Sequence, residues 1–142
     1  MRIYVASSWR NTRQPRVVEY LLRDGHQVYN YREPAPGLSG FAWSNIDPKW
    51  EKWSPLQAFE SLKHPIAVKG FALDMSALAV CHACVLVMPC GRSAHLELGY
   101  AAGAGKRTAV FQEEKAEPEL MYSMCDLLTT SIVELRNWLL RE

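Results

Sequence analysis

The run Cys84-Val85-Leu86-Val87-Met88, closed by Pro89, limits what this chain can become more than any other stretch of it. An apolar run without polar alternation predicts a strand covered on both faces, and such strands belong to parallel sheets with helices above and below. The flanking patterns agree. Arg2 to Ala6 predicts a short buried strand through Ile3, Tyr4 and Val5, stopping at the polar Ser7-Ser8-Trp9-Arg10-Asn11. From Gln14 to Arg23 the residues Val17, Val18, Leu21 and Leu22 recur at helical spacing, with Pro15 tolerated in the first turn and Gly25 closing the helix. Residues 26–31 predict a second strand. Further helices are expected over about 55–62 on Leu56, Phe59 and Leu62, and over about 71–82 through Leu73, Ala77, Leu78 and Cys81. Residues 93–104 predict another, stopped by Gly103 and Gly105, and 132–140 an amphipathic last one. Residues 108–111 read as a strand and 127–131 as a short final strand; no internal repeat is present.

Strands alternating with helices predict one α/β domain over residues 1–142: a flavodoxin-like, Rossmann-like three-layer sandwich with a parallel five-stranded sheet, order 2-1-3-4-5, and helices on both faces. In that order the reversal lies between the first and third strands, and ligands bind at the carboxyl ends there. Those ends are Ser7-Ser8-Trp9 and Pro89-Cys90-Gly91-Arg92-Ser93, so two polar, Ser- and Gly-bearing turns are expected to converge on one crevice.

Residues 33–55 break the rhythm with four prolines and three tryptophans, Trp43, Trp50 and Trp53. A loop of this length is normally functional or disordered, and so many aromatics argue against disorder. Two readings stand: an insert that packs its own tryptophans, or a lid that stacks Trp43 on a flat ligand.

Composition narrows the partners. Apolar residues make up 49% and charged residues 22% of 142 residues, a globular balance for one domain. The net charge of +1 gives no basic surplus, so a nucleic-acid polymer is not an expected partner. No apolar run approaches the ~18 residues of a membrane span, and Ser7-Ser8 come too early for a signal-peptide core. A soluble, cytoplasmic protein is expected. Cys81-His82-Ala83-Cys84 spells C-x-x-C, but Cys81 falls late in a helix and Cys84 opens a strand, the reverse of a redox motif. No second ligand pair completes a zinc site, so the cysteines are expected to be small buried residues. His26, His64, His82 and His95 form no ligand motif and no G-x-x-x-x-G-K loop occurs, so neither metal nor organic cofactor is expected.

Two carboxylates stand out. Glu97 lies within Ala94-His95-Leu96-Glu97-Leu98-Gly99-Tyr100-Ala101, a helix too apolar to offer much solvated face, although a solvated charge is the ordinary reading of a lone Glu. Asp74 is expected in the first turn of its helix, where an acid also serves simply to complement the dipole. Two carboxylates in a crevice with aromatics point to cleavage at an acetal-like carbon, one attacking and the other managing a proton.

The run from Gly91 to Ala101, the opening Ile3-Tyr4-Val5-Ala6 and the spacing of Asp74 resemble the nucleoside 2-deoxyribosyltransferase family, which includes N-glycoside hydrolases of nucleoside 5'-monophosphates. The resemblance covers residues 2 to about 112, and its most specific piece is Glu97-Leu98-Gly99-Tyr100-Ala101. It implies that Glu97 is the nucleophile at C1', that Asp74 binds and protonates the base, and that Tyr4 lines the pocket and orients the nucleophile. Trp9 would form an aromatic wall, and neighbouring subunits of a homodimer or larger homo-oligomer would complete each pocket. The C-terminal helix has apolar surface for that assembly, or packs on its own sheet. Outside the resemblance, which does not cover the Trp-rich insert, Ser7 and Gly91 at the strand ends and Trp43 of the insert are candidate substrate contacts.

The chain departs from the family at His82, where an Asp is common, and at Gly91, where nucleoside transferases often carry another Asp. Arg92 and Ser93 instead stand at a helix N-terminus, which suits a phosphate and favours a nucleoside 5'-monophosphate. A surface charge for Arg92 and a simple N-cap for Ser93 are the plainer readings. The expected function is transfer or cleavage at the N-glycosidic bond of a 2'-deoxynucleoside or its monophosphate. The alternative is a nucleotide-sensing module that kept the pocket without turnover.

Overall fold

The computed structural model describes residues 1–141. The chain divides into two compact units, Met1–Asn30 with Val80–Glu142, and Tyr31–Ala79. The first unit holds the sheet. Its strands are β1 (Arg2–Ala6), β2 (Gln27–Asn30), β3 (Ala83–Val87), β4 (Arg107–Phe111) and β5 (Leu127–Thr129), all parallel, in the order β2-β1-β3-β4-β5. The helices are α1 (Gln14–Arg23), α2 (Pro55–Ser61), α3 (Pro65–Val80), α4 (Arg92–Gly103) and α5 (Ile132–Leu140). This is the expected flavodoxin-like order, with the reversal between β1 and β3. No helix among the described residues is long and apolar enough to cross a membrane.

The central strand is buried at every position, as its unbroken apolar run requires. Alternation then sorts the two faces. Ile3, Val5, Ala83, Val85, Val87, Ala109 and Phe111 point to one side, where Val17, Val18 and Leu21 of α1 and Leu135 and Leu139 of α5 cover them. Leu135 and Leu139 of α5 thus pack into the chain's own core, while Val133 and Leu140 on the same helix stay exposed. On the other side, α4 lays its buried Ala94, Leu98 and Ala101 against β1, β3 and β4. Each buried Val, Leu or Ile is worth about 1.5–3 kcal/mol relative to exposure.

Helix ends follow their local chemistry. Gly25 and Gly105 adopt φ of +83° and +70°, the left-handed conformation that ends α1 and α4. Ser54 and Gln57 form a reciprocal capping box at the start of α2.

In the second unit, the helix expected over 71–82 begins at Pro65 and ends at Val80. Gly70 hides that earlier start from pattern reading, since glycine ordinarily weakens a helix. Its absent side chain admits Phe41, whose Cβ would lie 3.1 Å from a Cβ placed there. Asp74 is consequently in the middle of the helix, and the dipole-complement reading of it is overturned. The insert contains short 3-10 turns at Trp43–Asn45 and Trp50–Lys52. Trp43 packs edge-on against Phe41 at 4.7 Å and Trp53 at 5.9 Å, while Trp53 Nε1 donates to Asp47 Oδ2 at 2.8 Å. The insert thus orders itself around its own aromatic rings.

Arg136 of α5 clamps Asp24 after α1 with two hydrogen bonds, Nε to Oδ2 at 2.7 Å and Nη2 to Oδ1 at 2.6 Å. These bonds hold the Asp24 carboxyl below its ordinary value of 3.8, against the opposing effect of burial. A depressed carboxylate stabilises the fold above its unfolded pKa, and the contribution is lost as pH falls through the folded one. Asp24→Asn should lower stability at neutral pH and flatten the loss of stability below the ordinary 3.8, read by urea denaturation across that range. An unchanged acid slope would show that the clamp does not couple the two helices.

Candidate functional site

At the reversal of strand order, the turn after β1 is tied to the turn after β3. Ser7 Oγ donates to the Val87 carbonyl at 2.7 Å. Asn11, 2% exposed, donates from Nδ2 to the carbonyls of Val87 at 3.1 Å and Pro89 at 3.0 Å. Its Oδ1 accepts from the backbone N–H of Arg13 and Gln14, at 2.8 and 3.0 Å, and so caps the start of α1. One carboxamide therefore anchors two loops and a helix. Sequence reading passed over Asn11 as part of a polar turn; the signal available was an Asn three residues before a helical run.

Glu97 lies in the second turn of α4, half-buried, on the stripe that includes the buried Ala94, Leu98 and Ala101. That phase turns it toward the sheet. The electrostatics agree: burial pushes the Cys90 thiol up to about 12, with the Glu97 charge adding to it. Burial also raises Cys84 well above the ordinary thiol value, with contributions from Cys81, Glu97 and Cys125. Cys84 is the register partner of Tyr4 on β1. Tyr4 is fully buried and stacks on Tyr29 of β2 with ring centroids 5.0 Å apart. Glu97, Cys84 and Tyr4 thus belong to one side of the sheet.

Gly91 is the N-cap of α4 and supplies no side-chain cap. Ser93 lies inside the first turn, so the simple N-cap reading of it is overturned. Arg92 and Ser93 are exposed, as is Trp9 at 46%. Tyr4, Ser7, Trp9, Gly91, Arg92, Ser93 and Glu97 all belong to the first unit, the last six around the carboxyl ends of β1 and β3 or on the helix that starts there. Asp74, half-buried on α3, and Trp43 belong to the second unit.

A network that pattern reading missed sits beside this loop. His95 Nδ1 lies 2.8 Å from the Gly91 carbonyl and its Nε2 2.8 Å from the Tyr122 hydroxyl. Tyr122 stands on a 3-10 turn, Leu120–Met124, and its hydroxyl is also 3.3 Å from Met88 Sδ. Burial raises Tyr122 to about 12, so it is a neutral phenol. The separation of 27 positions between His95 and Tyr122 leaves no local signal for the pairing.

Cys81 and Cys84 are free and buried, as expected of small core residues. Among the described residues no cluster of three or more His, Cys, Asp or Glu could hold a metal ion. A cavity of about 400 Å³ lined by Lys106, Arg107, Asp126 and Trp138 lies by the amino end of β4 and includes none of the candidate site residues.

No protein-family profile matches the sequence, and no curated protein sequence does. Among solved structures, a 2-deoxyribosyltransferase from the psychrotolerant bacterium Bacillus psychrosaccharolyticus is similar, with a TM-score of 0.67 and 19% identity over 96% of this chain and 91% of that one. A CMP N-glycosidase from Clostridium botulinum is similar with a TM-score of 0.53 and 16% identity, over 98% of this chain and 97% of that one. At these identities the likeness is one of fold.

Two measurements probe this geometry. Asn11→Ala should cost about 2 kcal/mol in urea denaturation, because it removes a cap together with the donor to Pro89 and one of the two side-chain donors to Val87; a loss near zero would mean that the loops hold each other without it. Glu97→Gln removes a negative charge near Cys90, so alkylation of Cys90 by iodoacetamide should quicken by about threefold for each half unit that its pKa falls. An unchanged rate, followed by peptide mass spectrometry, would mean that the carboxylate does not face that thiol.

Proposed function

We propose that the chain, as one deoxyribosyltransferase-like domain with an aromatic insert, cleaves or transfers at the N-glycosidic bond of a 2'-deoxynucleoside or its 5'-monophosphate. The observation that carries the reading is Glu97: a carboxylate turned toward the sheet on an otherwise apolar helix stripe, at the point where strand order reverses. Similarity of fold to a deoxyribosyltransferase and a CMP N-glycosidase over nearly the whole chain supports the same chemistry.

In this reading a Glu97 oxygen attacks C1' as the bond to the base nitrogen breaks, and the leaving electron pair goes to the base. Asp74 supplies the proton that the departing base requires, which lowers the barrier by general acid catalysis. The glycosyl ester on Glu97 is then attacked at C1' by water or by a second base, which releases the carboxylate with net retention. The thiols of Cys84 and Cys90 are held protonated by burial, so neither competes as a nucleophile. Tyr4 orients the carboxylate, Ser7 and Trp9 contact the substrate, Trp43 is a further candidate contact, and the Gly91-Arg92-Ser93 turn receives a 5'-phosphate at the start of α4.

The test is incubation of the protein with 2'-deoxynucleosides and their 5'-monophosphates, with and without an acceptor base, followed by chromatography. New nucleoside identifies a transferase, and free base from monophosphates alone identifies a hydrolase that uses Arg92 and Ser93. Glu97→Gln should lower turnover by roughly a thousandfold or more while substrate still binds. Binding without turnover by the unaltered protein would instead make it a nucleotide sensor.

A further inference from the structure

His95 presents both ring nitrogens to fixed partners, and the partners decide its tautomer. The Gly91 carbonyl only accepts, so Nδ1 carries the proton and donates to it across 2.8 Å. In the neutral ring Nε2 is then an acceptor, and the Tyr122 hydroxyl donates to it across 2.8 Å. The two ring planes are nearly parallel, 8° apart, with centroids 5.7 Å apart. With its one proton directed to His95, the Tyr122 hydroxyl meets Met88 Sδ, 3.3 Å away, as a packing neighbour. The Cys90 thiol closes the group at 3.5 Å from Met88 Sδ and 3.8 Å from His95 Nδ1.

The group spans three parts of the first unit: the end of β3, the first turn of α4 and the turn Leu120–Met124 that follows β4. What it grips is the Gly91 carbonyl, the one peptide that joins the loop to the helix. Fixing that carbonyl fixes the rotation of the Gly91–Arg92 peptide, since its N–H points opposite to its C=O. Asn11 already holds the carbonyl two residues earlier, that of Pro89, from the β1 side. Two clamps on either side of Cys90 leave the backbone of Gly91-Arg92-Ser93 little freedom.

We propose that His95 and Tyr122 are positioning residues: their hydrogen bond holds the start of α4 so that the backbone and side chains of Arg92 and Ser93 meet the 5'-phosphate of a nucleoside monophosphate. This rests on the phosphate-binding role proposed above for that turn. A preorganised loop spends less of its binding energy on ordering itself, so the benefit falls on the phosphate-bearing substrate rather than on the sugar and base.

Tyr122→Phe keeps the ring and removes the bond; His95→Asn keeps a donor for Gly91 and cannot reach Tyr122. The first readout uses no substrate: in ¹⁵N-labelled protein, both variants should shift the backbone amides of Gly91, Arg92 and Ser93 while amides of β1 and β4 stay in place. The second is kinetic. With 2'-deoxynucleoside 5'-monophosphates the KM should rise about fivefold, the worth of one neutral hydrogen bond, with kcat within about twofold. KM for the corresponding nucleosides, which lack the phosphate, should not move. Unmoved loop amides in both variants overturn the proposal, as does a KM rise equal for nucleosides and monophosphates. If the amides shift but the unaltered protein turns over neither substrate class, the glycosidic reading fails and the phosphate role proposed here falls with it, while the grip of His95 and Tyr122 on the loop stands.

Discussion

The buried carboxamide of Asn11 is the interaction on which the site depends. A parallel sheet leaves the turn after each strand to find its own hydrogen-bond partners, and at the reversal of strand order two such turns face each other without a helix between them. Asn11 answers both sides at once, donating to Val87 and Pro89 and accepting from Arg13 and Gln14. Ser7 adds a further donor to Val87. The loops at this point are held through their backbones, while the side chains of Trp9 and Arg92 stay exposed.

Glu97 occupies the opposite kind of environment. It sits on a helix stripe made of alanine and leucine, facing a sheet whose nearest titratable groups are thiols. A charge in such surroundings is costly unless the neighbours are neutral or bonded to it. Burial keeps the thiols of Cys84 and Cys90 protonated, so neither adds a negative charge there.

The aromatic insert solves a separate problem. Four prolines and three tryptophans over residues 33–55 cannot join a sheet, yet they carry too much apolar area to stay unfolded. Phe41, Trp43 and Trp53 pack edge to face, and Asp47 satisfies the one polar atom of Trp53. Gly70 shows how far such packing overrides local propensity, since the glycine that disguises the true start of α3 is what lets Phe41 approach.

What the sequence by itself determined is whatever repeats with a short period. The unbroken Cys84–Met88 run required a doubly covered strand, the spacing of Val17, Val18 and Leu21 required a helix against it, and the alternation of the two led to the order β2-β1-β3-β4-β5. The apolar setting of Glu97 was legible for the same reason, because one charge in a periodic apolar stripe is a local anomaly. Only the tertiary structure decided the rest. The place of Asp74 along α3 depended on Phe41, the role of Asn11 on a carbonyl 78 positions away, and the pairing of His95 with Tyr122 on a turn 27 positions further on. Hydrogen bonds between distant loops leave no periodicity in the chain; they exist only once packing has brought the partners within 3 Å or so, at which distance direction and burial fix them.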